Sequence, residues 1–149
     1  MRRSVFKFKQ FDITQQKSAM KVGTDGVLLG SWASVNKASK ILDVGCGTGV
    51  ITLMLAQKSI DNQSEIVAIE IDELSYEEAR LNVNNSNWAQ RIQLKNIALQ
   101  NFNVESNFDL IVCNPPFFPL INRQSRRNIA RHANKLSLEE LISHSNQFF

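Results

Sequence analysis

The residues best suited to chemistry form an Asn-Pro-Pro-Phe tetrapeptide that follows an apolar run. An amino nitrogen joined to a conjugated ring or a carbonyl is a poor nucleophile because its lone pair is delocalised. Two acceptors aimed at its hydrogens would draw the nitrogen towards a tetrahedral shape and free the lone pair. The Asn114 side-chain oxygen can be one acceptor and the Pro115 carbonyl the other, because Pro115 and Pro116 hold the backbone extended. Phe117 can stack on a flat substrate, so the tetrapeptide favours methyl transfer to a planar amino group; the alternative is a rigid turn that ends a strand.

A glycine-rich turn lies upstream, between one apolar run and a second, helix-compatible run. Its glycines are Gly45, Gly47 and Gly49, and Asp43 precedes them. The pattern predicts a strand, a tight turn where a Cβ would clash, and a helix whose N-terminus offers unpaired N–H groups. The spacing is Gly-x-Gly-x-Gly, whereas dinucleotide binders have Gly-x-Gly-x-x-Gly. Asp43 also suits a ligand with an ammonium or sulfonium group better than a pyrophosphate.

A carboxylate ends the next predicted strand, where a nucleoside binder needs one. Residues 65–70 form a buried-strand pattern, and Glu70 closes it 21 residues after Gly49. A carboxylate at this tip can accept hydrogen bonds from both ribose hydroxyls. The alternative interpretation is an ordinary solvated glutamate.

With these motifs the chain resembles class I S-adenosylmethionine-dependent methyltransferases, and within them the bacterial tRNA1(Val) (adenine-37) 6-amino methyltransferase family. The more specific markers are residues 20–30 (MKVGTDGVLLG), the preceding FKQF at 8–11 and the Ala-Arg-His at 130–132. The resemblance implies S-adenosylmethionine as cofactor, tRNA as partner, and methylation of the 6-amino group of adenine next to the anticodon. Methyltransferases that act on DNA adenine, ribosomal guanine and glutamine side chains also carry Asn-Pro-Pro-aromatic. A protein-glutamine amide or rRNA guanine amino methyltransferase therefore stays open, as does a non-catalytic fragment that only binds cofactor or RNA.

The resemblance also assigns further cofactor contacts. It implies that a lid over the cofactor is formed by Gly23, Thr24 and Asp25. Packing against the cofactor adenine would come from Ile71, Ile97 and Ala98. Family members often have an aspartate where this chain has alanine, so we expect backbone and apolar contacts there and a reduced cofactor affinity.

A basic segment follows the tetrapeptide. Between Asp109 and Glu139 the chain has no acidic residue. Basic and aromatic residues together suit phosphate contact and base stacking, whereas the alternative is a solvated loop. The residues that we expect to contact RNA are Phe118, Arg123, Arg126, Arg127, Arg131 and His132.

Composition fits a single soluble domain of 149 residues, with 43% apolar and 21% charged residues. No apolar run reaches membrane-spanning length, and the N-terminus lacks the apolar core of a signal peptide, so we expect a cytoplasmic protein without a membrane partner. Cys46 and Cys113 lack metal-ligand spacing. We therefore expect no metal site and two small buried thiols.

The predicted fold is α/β: a Rossmann-like doubly wound parallel sheet of the class I methyltransferase type. We expect residues 1–35 to form an N-terminal extension with the cofactor lid, and residues 36–149 to form the core. The resemblance implies the strand order three-two-one-four. Extended segments are predicted in 1–20 and a helix over 26–33, capped by Thr24 or Asp25. Strands are predicted over about 40–44, 65–70, about 91–95 and about 107–113. The predicted helices that follow are one ending near 59, one over about 73–84, and a last helix with Ser137 and Glu140 as capping box.

The resembled fold continues with three more strands beyond the last predicted helix, in which Phe149 lies. From this difference we expect a single, C-terminally truncated methyltransferase domain with strands one to four present. The fourth strand would then have an uncovered apolar edge. We expect weak or absent catalysis and possible self-association through that edge.

Overall fold

The computed structural model describes residues 4–105, 107–115 and 137–149. Several residues with predicted roles lie outside these ranges and stay predictions. They are Pro116, Phe117, Phe118, Arg123, Arg126, Arg127, Arg131 and His132.

The chain opens with a small antiparallel hairpin and a helix. Strands β1 (Val5–Lys7) and β2 (Asp12–Thr14) pair with each other, as the predicted extended segments require. Helix α1 (Thr24–Trp32) begins earlier than predicted, and its cap by Thr24 or Asp25 is wrong. The carbonyl of Gly23 already accepts the N–H of Val27, so both residues lie inside the first turn and Gly23 is the N-cap.

The core of the fold is a parallel sheet of four strands in the order β5-β4-β3-β6. This is the implied order three-two-one-four, and the predicted fold class is confirmed. The strands are β3 (Lys40–Val44), β4 (Glu65–Glu70), β5 (Ile92–Asn96) and β6 (Leu110–Cys113). Their carboxyl ends lie together at one edge of the sheet, where open α/β sheets bind ligands.

Helices cover both faces of the sheet. They are α2 (Val50–Lys58), α3 (Glu73–Asn84) and α4 (Leu138–Ser145), with 3₁₀ turns at Ala89–Arg91, Leu99–Asn101 and Asn146–Phe148. The predicted capping box of α4 is confirmed, since Ser137 accepts the N–H of Glu140 and the Glu140 side chain accepts the N–H of Ser137. No helix in the described part of the chain combines the length and apolar character needed to cross a membrane.

Apolar side chains fill two layers, one on each face of the sheet. Along β3, Ile41 belongs to the layer under α2 and α3, whereas Leu42 belongs to the opposite layer. This alternation buries both faces, as a parallel sheet requires. In the second layer Phe148 meets Phe102 and Phe108 with ring centroids 5.3 and 6.3 Å apart. These contacts hold the C-terminal turn against the sheet, and each aromatic pair contributes about 0.5–1.5 kcal/mol beyond burial.

Two strand starts differ from prediction. β6 begins at Leu110, later than predicted. The Phe108 N–H donates to the Phe148 carbonyl and not to β3, and the Asp109 carboxylate accepts the N–H groups of Ser39 and Lys40 at 2.7 and 2.9 Å. Those two bonds lower the pKa of Asp109. β5 begins at Ile92 because Arg91 closes the preceding 3₁₀ turn. Within the described residues β6 pairs with β3 alone, and self-association through its other edge stays a prediction, as does the truncated single domain.

Candidate active site

The glycine loop joins β3 to α2 with three residues in the left-handed region. Gly45, Gly47 and Gly49 have φ values of 71°, 55° and 82°. No atom of the described residues lies within 4 Å of the position that a Cβ would take at Gly45 or Gly47. Glycine is therefore required at these two positions by the backbone conformation, while the space beside them is open to a ligand.

The end of β4 fixes this loop. The Ile69 carbonyl accepts the N–H groups of Gly45 and Cys46 at 2.9 and 3.1 Å. One oxygen of Glu70, Oε2, accepts the N–H of Gly47 at 2.8 Å, and Oε1 accepts the N–H of Asp72 at 2.9 Å. Glu70 is 8% exposed, so the alternative of a solvated glutamate is wrong. A carboxylate has about four acceptor sites, and within the described part of the chain only the two backbone N–H groups donate to Glu70.

Asp43 lies fully buried beneath the loop. Its Oδ2 accepts the hydroxyl of Thr52 at 2.5 Å, whereas Oδ1 has no hydrogen-bond partner among the described residues. Burial, with a smaller contribution from the negative charge of Glu70, raises the pKa of Asp43 to about 7, and the Thr52 bond only partly offsets this. A buried acceptor without a partner is costly, and a cationic or N–H-bearing ligand would satisfy it.

The two cysteines are unsuited to thiolate chemistry. Cys46, in the loop, is buried, and Cys113, at the end of β6, is half-buried. Burial raises the pKa of Cys46 well above its usual range and that of Cys113 to about 12. The part of the chain that the structure describes contains no group of three potential metal ligands.

Asn114 leaves the sheet beside the glycine loop. Its neighbour Cys113 pairs with Val44, the residue just before Gly45. The Asn114 side chain is half-buried, and its Nδ2 lies 3.7 Å from the position that a Cβ would take at Gly26. Pro115 follows and is also half-buried. The acceptor pair predicted from the sequence therefore begins at the sheet edge that carries the glycine loop.

Helix α1, which begins at the predicted lid, packs beside Asn114 and the start of α2. Gly26 faces Val50 at the start of α2 as well as Asn114, and a Cβ at Gly30 would lie 2.7 Å from the Met54 sulfur. Gly30 thus lets α1 approach α2 closely, whereas Gly26 leaves ordinary contact distances for a Cβ. The lid residues Gly23, Thr24 and Asp25 are exposed at the start of this helix.

The residues expected near the cofactor adenine adjoin Glu70. The Ile97 N–H donates to the Glu70 carbonyl at 3.1 Å. Ile71 is exposed and Ala98 half-buried, whereas Ile97 packs partly against the second apolar layer. Sequence reasoning missed Asn96, whose Nδ2 donates to the carbonyls of Glu70 and Ile71 at 2.8 and 3.2 Å and so holds this turn.

A second group missed from the sequence lies on α3, where Ser75, Glu78 and Asn82 are buried. Their spacing, at i, i+3 and i+7, places them on one face of the helix. That spacing could have predicted a polar face on the helix. The sequence near the helix did not indicate which groups this face would contact.

A parallel sheet with a glycine loop after its first core strand and a carboxylate at the tip of the next defines the Rossmann-like fold of class I methyltransferases. Solved structures agree. P. horikoshii TYW2 in complex with MeSAdo matches with a TM-score of 0.59 and 16% identity, over 73% of this chain and 41% of that one. The SAH-bound Podospora anserina methyltransferase PaMTH1 matches with a TM-score of 0.56 and 24% identity, over 64% and 42%. At these identities the likeness shows the fold alone.

The chain belongs to the methyltransferase small domain family, which matches residues 17–140. It is 47% identical over 142 residues to the tRNA1(Val) (adenine(37)-N6)-methyltransferase of Haemophilus influenzae, covering 93% of this chain and 61% of that protein. It is 48% identical over 141 residues to the enzyme of the same name from Trichodesmium erythraeum, covering 92% and 59%. The resemblance read from the motifs is therefore confirmed. The chain spans about 60% of the length of these curated relatives.

Proposed function

We propose that this chain binds S-adenosylmethionine and methylates the exocyclic 6-amino group of adenine 37 in tRNA1(Val), beside the anticodon. The observation that carries the proposal is the position of Asn114, which directly follows the residue paired with Val44 and so emerges next to Gly45. The names of the relatives support the same substrate. A tRNA substrate implies action in the cytoplasm.

The described residues fit the cofactor. The buried, unpaired Oδ1 of Asp43 and the open space beside Gly45 and Gly47 suit a ligand that carries positive charge and packs against backbone. Asp43 and the loop would hold the methionine end, and the free acceptor sites of Glu70 would hold the ribose. Gly23, Thr24 and Asp25 would cover the cofactor, and Ile71, Ile97 and Ala98 would contact its adenine.

The transfer step needs positioning above all. S-adenosylmethionine supplies a methyl group on a sulfonium that leaves readily. Asn114 and the carbonyl of Pro115 would accept the two amino hydrogens of adenine, direct the nitrogen lone pair and hold it in line with the methyl group. Phe117 would stack on the base, with Pro116 keeping the backbone extended. Orienting two groups in this way supplies several kcal/mol of the barrier reduction by removing rotational freedom before the reaction.

RNA contact would come from the basic segment after the tetrapeptide. Arginines there would neutralise phosphates, and an aromatic side chain would stack on a base. The proposed contacts are Phe118, Arg123, Arg126, Arg127, Arg131 and His132.

A labelled-methyl assay, run separately with four different acceptors, tests the proposal. The protein is incubated with methyl-labelled S-adenosylmethionine and one of four acceptors: a tRNA1(Val) transcript, the same transcript with guanine in place of adenine 37, a ribosomal RNA fragment, or a glutamine-containing release-factor peptide. We expect label in the first transcript alone, recovered as N6-methyladenosine after nuclease digestion.

The other outcomes contradict this assignment in different ways. Label in the peptide would identify a protein-glutamine methyltransferase, and label on guanine an rRNA-type enzyme. Cofactor binding by calorimetry without label in any acceptor would indicate a non-catalytic binding protein.

A further inference from the structure

Helix α3 buries three polar side chains beside the apolar Ala79 and Val83. Ser75, Glu78 and Asn82 are 5%, 3% and 2% exposed, whereas the leucines Leu74 and Leu81 are 55% and 46% exposed. Burial of a carboxylate and an amide is costly unless each is fully hydrogen-bonded. Each of these buried side chains therefore needs hydrogen-bond partners.

Glu78 binds three consecutive backbone amides that lie about 60 positions earlier in the chain. Its Oε1 accepts the N–H groups of Gln16 and Lys17, the latter at 3.0 Å, and its Oε2 accepts the N–H of Ser18 at 2.8 Å. The hydroxyls of Ser75 and Ser18 lie 3.1 Å apart. One carboxylate thus fixes the segment after β2 onto α3.

Asn82 joins the same segment to the glycine loop. Its Nδ2 donates to the carbonyls of Thr14 and Thr48, both at 2.9 Å, and its Oδ1 accepts the N–H of Thr14 at 2.8 Å. Thr48 lies between Gly47 and Gly49. A single amide therefore contacts the end of β2 and the loop that the proposed cofactor would touch.

The fixed segment leads directly into the lid. After Ser18, whose hydroxyl donates to the Met20 carbonyl at 3.0 Å, the Val22 N–H donates to the Gln15 side chain at 2.8 Å. Val22 precedes Gly23, the N-cap of α1. Residues 14–22 thus form one hydrogen-bonded unit between α3 and the lid.

We propose that Glu78 and Asn82 are positioning residues that couple the glycine loop to the lid segment. The inference rests on the proposed function, since the cofactor is the ligand that both elements would contact. Because coupling between two sites is reciprocal, a ligand that orders the loop also orders residues 14–18, and loss of the connecting amide weakens the ligand.

Calorimetry and hydrogen exchange with S-adenosylhomocysteine test this coupling. In the wild-type chain the ligand should slow exchange at the amides of Gln16, Lys17 and Ser18. In Asn82→Ala the affinity should fall by about 5- to 100-fold, within the range of typical coupling energies, and the ligand should no longer slow those amides. In Glu78→Gln, which keeps the shape of the side chain, the three amides should exchange faster and the affinity should fall severalfold.

Val83→Ala is the matched control. Val83 follows Asn82 in α3, is 2% exposed and packs in the apolar layer, and its side chain has no hydrogen-bonding group. It should lower the melting temperature yet leave both the affinity and the ligand-dependent slowing intact. A variant that is merely less stable would behave like this control. Because Glu78→Gln keeps the side-chain volume, it still tests the coupling if Asn82→Ala fails to fold.

Two results would overturn the inference, and they are distinguishable. If the wild-type chain binds the ligand and both variants retain its affinity and its slowing of residues 16–18, then the contacts are structural only. If the wild-type chain does not bind S-adenosylhomocysteine at all, then the proposed function itself is wrong and the coupling fails with it.

Discussion

The Oε2 atom of Glu70 accepts the backbone N–H of Gly47 at 2.8 Å. The carboxylate expected to hold a ribose therefore also fixes the loop expected to hold the methionine end. Two parts of the proposed cofactor site thus depend on the buried side chain of Glu70, and its removal should affect both.

Glu70→Ala should weaken S-adenosylmethionine binding while leaving the fold intact. It removes the bond to Gly47 and the proposed bonds to the ribose, and hydrogen bonds to charged groups are each worth about 1.5–3 kcal/mol, so we expect a loss of roughly 10- to 100-fold or more. Calorimetry measures the change. Glu73→Ala removes a nearby but exposed carboxylate and should bind as the wild type does. Equal affinities of the two variants would rule out the ribose role.

Asp43 should make stability depend on pH in an unusual direction. Its pKa is about 7 in the folded chain against an ordinary value of 3.8, so between these values the folded state binds more protons than the unfolded state. The free energy of unfolding should therefore fall as pH rises through this window and stay lower above it. Asp43→Asn should lack this component.

Urea unfolding of both proteins at about pH 5 and about pH 8 isolates the effect, because all other titrating groups are shared. From about pH 5 to about pH 8, the free energy of unfolding of the wild type should fall by a few kcal/mol more than that of Asp43→Asn. The same pH dependence in both proteins would mean that Asp43 titrates near its ordinary pKa.

The two glycines of α1 should tolerate alanine differently. A Cβ at Gly30 would lie 2.7 Å from Sδ and 3.1 Å from Cβ of Met54, whereas one at Gly26 would meet its neighbours at 3.7–3.9 Å. Overpacking costs about 1–3 kcal/mol, and alanine gains about 1 kcal/mol over glycine inside a helix. Gly26→Ala should therefore be neutral or stabilising, and Gly30→Ala should be less stable than Gly26→Ala by about 1–3 kcal/mol in urea unfolding. Indistinguishable midpoints would show that Met54 moves aside freely.

Neutralising Arg126 and Arg127 with glutamine should weaken tRNA binding and its salt dependence. Each lost phosphate contact reduces the slope of log affinity against log salt by about 0.7–0.9. The matched control, Lys37→Gln with Arg80→Gln, changes the net charge equally at two exposed positions away from the tetrapeptide. Slopes that fall equally in both double variants would indicate a general charge effect without phosphate contact by these arginines.

Local patterns predicted the centre of the fold well. The strands predicted at about 40–44 and at 65–70 and the helix predicted over about 73–84 match the structure. Two continuous apolar runs mark the strands, and in the structure the N-cap Asp72 directly precedes the helix. The glycine loop and Glu70 were also predictable, since each needs only a strand end and a residue type. The start of β6 was not, because Asp109 interacts with backbone groups about 70 positions away.

The orientation of α3 shows why the rest could not be predicted. Leu74 and Leu81 are exposed, while Glu78 and Asn82 are buried beside Ala79 and Val83. The backbone N–H and carbonyl groups of residues 14–18 need partners, and Glu78 and Asn82 supply them. That requirement arises in a distant part of the chain, so no local window contains it.

The role of Asn114 is tested most directly by single-turnover methylation of a tRNA1(Val) transcript with Asn114→Ala at saturating S-adenosylmethionine. Loss of one of the two proposed acceptors of the reacting amino group should slow transfer by about 10²-fold or more. Affinity for S-adenosylmethionine should stay within a few-fold of the wild type. The control, Asn107→Ala, removes an exposed asparagine before β6 and should react at the wild-type rate. A wild-type rate in Asn114→Ala would contradict the proposed orientation of the amino group by this residue.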